Sequence, residues 1–128
     1  MFPLAATAQN AADQGTCIAV VEAATADPVD YAATVELLRQ FGPTCENNVE
    51  FQQWGNEVLM GILLTHPLLV IRGLKAKDVD ESRVLKQLRN PLLDHPLDSV
   101  ITRVANLPES TQRDSVLAAL KFAAVRLD

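Results

Sequence analysis

Aromatic residues are scarce in this sequence, and so are the patterns that build sheets or cross membranes. Only 5% of the 128 residues are Phe, Trp or Tyr, and no stretch alternates β-branched or aromatic residues with polar ones. Such alternation marks a half-buried strand, so its absence disfavours a sheet. The longest apolar run, Val58 to Leu64, is far shorter than the roughly 18 to 20 residues that span a bilayer. We therefore predict a helical chain without membrane insertion.

Recognisable catalytic and metal-binding motifs are also missing. The sequence has no H-E-x-x-H, no G-x-S-x-G and no glycine-rich phosphate loop. His66 and His95, the only histidines, would need further ligands such as Asp94 to hold zinc. Cys17 would need a nearby cation to become a nucleophile, and no lysine or arginine precedes Arg39. We predict that the chain is not an enzyme and has no catalytic residues, metal or cofactor.

Basic residues are rare in the first half of the chain. Residues 1–71 hold eight acidic residues and one basic residue, a net charge of −7, whereas residues 72–128 hold eight acidic and ten basic residues, a net charge of +2. An acidic surface repels phosphate backbones and attracts basic proteins. We predict a basic protein partner and no nucleic acid, with binding carboxylates at Asp27, Asp30, Glu46 and Glu50. The alternative is a solvated acidic surface that only maintains solubility.

A repeated tripeptide is the clearest pattern that the sequence does contain. His-Pro-Leu occurs at 66–68 and again at 95–97, and each copy opens an apolar run at helical spacing. Proline suits the first position of a helix because the N–H that it lacks has no partner there. We expect each histidine at an N-cap, with a ring nitrogen bonded to the first turn. The pattern predicts one all-α domain over residues 1–128, with six or seven helices in an irregular bundle or HEAT-like hairpins.

Two of these helices have boundaries and a core that the sequence predicts in detail. Asp27 and Pro28 are expected to begin the second helix, and Gly42 to end it in the left-handed conformation. The third helix runs from an asparagine cap at 47 or 48 to about residue 65, with an apolar stripe of Phe51, Trp54, Val58 and Ile62, and is expected to form the centre of the core. Its two glycines, Gly55 and Gly61, are expected to allow close approach of a neighbouring helix.

The N-terminus and the cysteines both bear on the cellular compartment. Ala6-Thr7-Ala8 fits the small-x-small rule for signal-peptide cleavage, so residues 1–8 are either a signal remnant or the ordinary start of a helix. Cys17 and Cys45 are the only cysteines. They form a disulfide in an exported protein, or two buried thiols in a cytoplasmic one. We predict the disulfide and a periplasmic or secreted protein, with the cytoplasm as the alternative.

Taken together, a small, acidic, helical chain with Ala6-Thr7-Ala8 and the Cys17–Cys45 pair resembles the periplasmic helical immunity proteins of bacterial type VI secretion systems. Proteins of that family neutralise peptidoglycan-cleaving amidase toxins injected by neighbouring cells. The resemblance implies a protein-binding module that inhibits an amidase by occluding its active site, often as a homodimer. The alternative function is a helical-repeat scaffold or a structural protein.

Overall fold

The chain folds into α-helices joined by short turns. The computed structural model describes residues 15–91 and 96–127, and only the backbone of residue 127. These residues contain no strand, which confirms the predicted all-α class. The helices are α1 (Gly15–Ala24, from the first described residue), α2 (Tyr31–Gln40), α3 (Val49–Thr65), α4 (Pro67–Gly73), α5 (Glu81–Arg89), α6 (Leu97–Ala105) and α7 (Thr111–Leu127), with a 3-10 turn at Pro43–Cys45.

Side-chain caps determine where four of the helices begin. The Asp30 carboxylate accepts a hydrogen bond from the N–H of Ala33 at 2.7 Å. Asn48, Asp80 and Ser110 each accept from the N–H three residues further on, at 2.9, 3.3 and 3.0 Å. Each cap satisfies a backbone donor that has no partner inside the first helical turn.

The second helix begins three residues later than the sequence predicts. Asp27 and Pro28 lie in the bend before α2, and Tyr31 is its first residue. Asp30 takes the capping position because its backbone is extended and its carboxylate reaches Ala33. The prediction for Gly42 is also wrong, because its φ of −138° is extended and it precedes the 3-10 turn.

The His-Pro pairs are partly as predicted. Pro67 is the first residue of α4 and His66 its N-cap, but His66 makes no side-chain capping bond. Its Nδ1 instead lies 2.9 Å from the hydroxyl of Thr65. Pro96 occupies the N-cap of α6, one position before the helix. His95 lies outside the described residues.

Helix α3 provides the centre of the core. Phe51, Leu59, Met60 and Leu63 are at most 1% exposed, and the ring of Phe51 packs 5.2 Å from that of Phe41. This confirms the third helix as the centre of the core, but Trp54 and Val58 of the predicted stripe are only partly buried. The stripe that faces the interior is centred on Phe51 and Leu59, which places Trp54 at its edge.

A disulfide joins α1 to the 3-10 turn. Cys17 and Cys45 are bonded and fully buried, as predicted. The bond closes a loop of 28 residues that contains all of α2. It therefore restrains the acidic first part of the chain against α3, whose Gln52 donates a hydrogen bond to the Cys45 carbonyl at 3.0 Å.

A buried polar network connects α3 to α5. Asn56 is fully buried, and its Nδ2 donates to both the backbone oxygen and the side-chain oxygen of Gln87 at 3.1 Å. Gln87 in turn donates to Gln52 at 2.7 Å. Because buried amides are costly without partners, this network favours one register between the two helices.

The helices pack as an irregular bundle. Helix α3 contacts α4, α5 and α6, and α7 contacts the same three helices. In a repeat of hairpins each unit contacts only its neighbours along the chain. A hairpin also pairs each helix with the next, whereas here α2 packs mainly on α4 and α5 mainly on α7, so the bundle is the better description of the two that were predicted.

No single helix among the described residues has the length and apolarity to cross a membrane. Helices α3 and α4 reach that length and apolarity only when they are taken together, and the chain bends by 114° between them.

Three glycines inside helices have different surroundings. A Cβ at Gly55 would lie 3.4 Å from the Phe41 ring, and one at Gly73 would lie 2.7 Å from Cδ1 of Leu38. The predicted close approach is therefore found at Gly55. At Gly61 it is not, because this residue is exposed and no such atom lies within 4 Å.

Replacing both cysteines with alanine is expected to lower the free energy of unfolding by about 3 to 4 kcal/mol, the value for a loop of this length. Urea unfolding monitored by circular dichroism measures the change. Alkylation of the unfolded, unreduced wild type should modify neither cysteine. Modified thiols, or unchanged stability of the double variant, would contradict the prediction.

Alanine substitutions at two glycines should change stability in opposite directions. Gly61→Ala is expected to raise the free energy of unfolding by about 1 kcal/mol, because alanine favours the helix and the new methyl group meets nothing. Gly73→Ala is expected to lower it by about 1 to 3 kcal/mol, because the buried Leu38 must move. Urea unfolding of both variants is the measurement, and shifts of the same sign would disprove the prediction.

Candidate functional site

Two neighbouring clefts meet at the turn between α3 and α4. The first, of about 370 Å³, lies between the end of α1 and the second half of α3. The second, of about 430 Å³, lies between the start of α4 and the end of α6. Thr65 and His66 line both clefts, so the two clefts adjoin at this corner.

The first cleft has an apolar wall and an acidic residue in its lining, and we refer to it as the Gly61 cleft. Val58 and Ile62 of α3 supply its apolar wall, and Gly61 between them adds no side chain. Among the described residues, Asp27 is the only acidic one in its lining, and no lysine or arginine lines it. Small residues, Ala24 to Ala26, form the opposite side. The cleft can therefore accept an apolar side chain flanked by positive charge.

The second cleft is lined by leucines and an arginine. Leu68 and Leu69 of α4 face Leu107, which follows α6. Arg103 donates from Nε to the carbonyl of Leu64 at 3.0 Å and from a terminal nitrogen to that of Thr65 at 3.1 Å. These bonds satisfy carbonyls at the end of α3, where a cation is favoured. Arg103 thus supports the corner that separates the two clefts.

The structure separates the four predicted binding carboxylates into two pairs. Asp27 and Asp30 precede α2, near the end of α3, whereas Glu46 and Glu50 lie near the start of α3. The length of α3 places about 20 Å between the two pairs. Only Asp27 lines one of the two clefts. The four residues therefore do not form one continuous patch.

Two of these carboxylates have partners within the protein. Asp30 caps α2, and Glu46 lies 3.7 Å from the guanidinium of Arg83. Asp27 and Glu50 have no ion pair within the described part of the chain. They are exposed, so they remain accessible to a partner.

Arginines of the second half of the chain bind the ends of other helices. Besides Arg103, Arg113 donates to the carbonyl of Leu107 at 3.1 Å and Arg126 to the side chain of Asn90 at 2.7 Å. Near α5, the Asp80 carboxyl accepts hydrogen bonds from the Ser82 hydroxyl and the Arg83 N–H. These bonds hold the pKa of Asp80 below its usual value. Much of the positive charge after residue 71 is therefore held by internal contacts.

The alternatives that involve catalysis gain no support from the geometry. Cys17 is fully buried and disulfide-bonded, so it has no free thiolate. In residues 15–91 and 96–127, no group of three or more His, Cys, Asp or Glu residues is placed to hold a metal. The prediction that the chain is not an enzyme stays a prediction, since Asp94 and His95 are outside the described residues.

The clefts themselves were not predicted from the sequence. The available signal was the interior glycine of the third helix, which was interpreted as a contact with a neighbouring helix. A glycine lowers helix stability whether a neighbouring helix covers it or a cleft leaves it open, and only the fold shows which of the two applies. Comparison with known proteins found no matching family model, no similar curated protein and no similar solved structure.

Replacing Arg103 with methionine is expected to lower the free energy of unfolding by about 0.5 to 1.5 kcal/mol, because two carbonyls of α3 lose their donor. Arg72→Met is the matched control, since Arg72 is exposed and has no such bond within the described residues. Its expected effect is within about 0.5 kcal/mol. Equal effects of the two substitutions in urea unfolding would refute the role given to Arg103.

Proposed function

We propose that this protein is a protein-binding module that docks a basic partner. The observation that carries the proposal is the arrangement of charge. Seven acidic residues lie between residues 15 and 71, and all seven are exposed. The single basic residue in this range, Arg39, is paired with Glu36. A surface of this kind attracts a positively charged protein over a distance of about 8 Å at physiological salt.

Affinity requires a second contribution besides charge. Exposed ion pairs contribute little to stability, so tight complexes depend on a few buried apolar anchors. The two clefts at the α3–α4 corner offer apolar walls for such anchors. In this proposal the carboxylates accelerate association, and burial of apolar groups slows dissociation.

We further propose that the partner is a peptidoglycan amidase whose active site the module occludes, as the resemblance to immunity proteins implies. The Cys17–Cys45 disulfide supports this, because disulfides persist in oxidising compartments such as the bacterial periplasm. The scaffold alternative lacks an observation of its own, because the bundle packs irregularly and does not build successive hairpins.

The partner should bind with rates that depend on salt. The immobilised chain is used to capture proteins from an envelope extract of its native host at about 50 mM salt, and the captured protein is purified. Its association rate should fall about tenfold or more between about 50 and about 300 mM salt, with a smaller change in dissociation. Peptidoglycan hydrolysis by this protein should stop at a stoichiometric amount of the chain.

Two double variants, each of which removes two negative charges, provide a matched comparison. Glu50→Gln with Glu57→Gln should lower the association rate about two- to fivefold, whereas Asp98→Asn with Glu109→Gln removes the same charge from the second half and should change it less. An acidic partner, rates that ignore salt, or equal effects of the two pairs would count against the proposal. A captured protein without amidase activity would remove only the immunity role.

A further inference from the structure

The Gly61 cleft has a feature that the contacts within the chain do not explain. Gly61 lies inside α3, where glycine is unfavourable, and its backbone conformation does not require it, since no glycine in the described residues has a positive φ. A Cβ at Gly55 would contact the Phe41 ring, and one at Gly73 would overlap Cδ1 of Leu38. At Gly61 that space is open. The open space at Gly61 is therefore available to a group from outside the described residues.

The surroundings of Gly61 suit close approach by a chain segment. The wall opposite α3 consists of the small residues Ala24, Thr25 and Ala26, and Val58 and Ile62 flank the glycine on its own helix. Helices and extended segments approach each other most closely over small residues, where little side-chain volume intervenes. A compact apolar side chain of a visiting segment would lie against Val58 and Ile62.

The charged residues around the Gly61 cleft indicate which kind of partner segment it can bind. Asp27 lines the cleft, and Glu57 lies one turn before Gly61 on the same exposed face of α3. Neither has an ion pair within the described residues, and no lysine or arginine lines the cleft. A carboxylate in the lining and another on the adjoining helix face, both without an ion pair in the described part of the chain, favour a cationic occupant.

We infer that the Gly61 cleft receives a basic amphipathic segment of a partner protein, with an apolar side chain over Gly61 and lysine or arginine beside Asp27 and Glu57. This inference rests on the proposed function and specifies its contact surface. The second cleft is a poorer candidate, because its one charged side chain, Arg103, would repel such a segment.

The test uses two synthetic helical peptides of about 18 residues as probes. Both carry an alanine and leucine face, and the polar face is lysine in one and glutamate in the other. Fluorescence anisotropy should detect binding of the lysine peptide to the wild type and not of the glutamate peptide. Gly61→Leu, which fills the cleft, should weaken binding about tenfold or more. Asp27→Asn should weaken it less.

Gly15→Leu is the matched control, because Gly15 is also a helical glycine with open space at its Cβ and does not line the cleft. It should leave binding within about twofold of the wild type. Gly61→Ala adds a readout that misfolding cannot imitate, because it should raise the melting temperature while it weakens binding. Equal binding by the Gly61 and Gly15 variants, or no binding of the lysine peptide, overturns the inference.

The two proposals fail in different ways. If a basic partner is captured and binds the Gly61→Leu variant as tightly as the wild type, the protein-binding function stands and this cleft is not its site. If no basic protein is captured from the envelope extract while the lysine peptide binds at Gly61, the cleft is supported and the proposed amidase partner is wrong.

Discussion

Burial of the apolar stripe of α3 is the constraint on which the other features of this protein depend. Phe51, Leu59 and Leu63 are fully buried there, and α4, α5 and α6 all pack against this helix. Such burial is the main favourable contribution to folding and has no preferred direction, so it brings the helices together without choosing their register. The polar contacts of α3 supply that choice. Asn56 joins it to α5, and the guanidinium of Arg103 joins its last turn to α6.

The disulfide and the charge distribution act on the same part of the molecule. Cys17 and Cys45 tie α1 to the turn before α3, so a segment with little positive charge is held close to the core. Repulsion among its carboxylates opposes that compact arrangement, and the covalent link offsets it. The exposed carboxylates are then available at fixed positions, and one of them, Asp27, lines a cleft with an apolar wall. This combination of a restrained acidic surface and apolar recesses is what supports a binding function.

Local sequence rules succeeded where a single short-range interaction decides the outcome. The cap of α3 was predicted to within one residue, at 47 or 48, because a side chain there reaches the N–H three residues on. The rules failed where two candidates compete, as when Asp30 rather than Asp27 begins α2. The predicted stripe of α3 was displaced toward Trp54 and Val58, which are only partly buried, because the periodicity leaves the centre of a stripe uncertain by about one position and the neighbouring helices determine it.

From the sequence alone follow the all-α class, the asparagine cap and extent of α3 and the uneven charge, because propensity, capping and composition act over a few residues. The disulfide was one of two alternatives that the sequence left open, and the structure shows that the two cysteines are bonded. The clefts at the α3–α4 corner came only from the tertiary structure, and so did the wide separation of Asp27 from Glu50 and the open space above Gly61. Each of these depends on how helices distant along the chain lie against one another. That arrangement reflects many weak contacts between them, which no short segment of sequence contains.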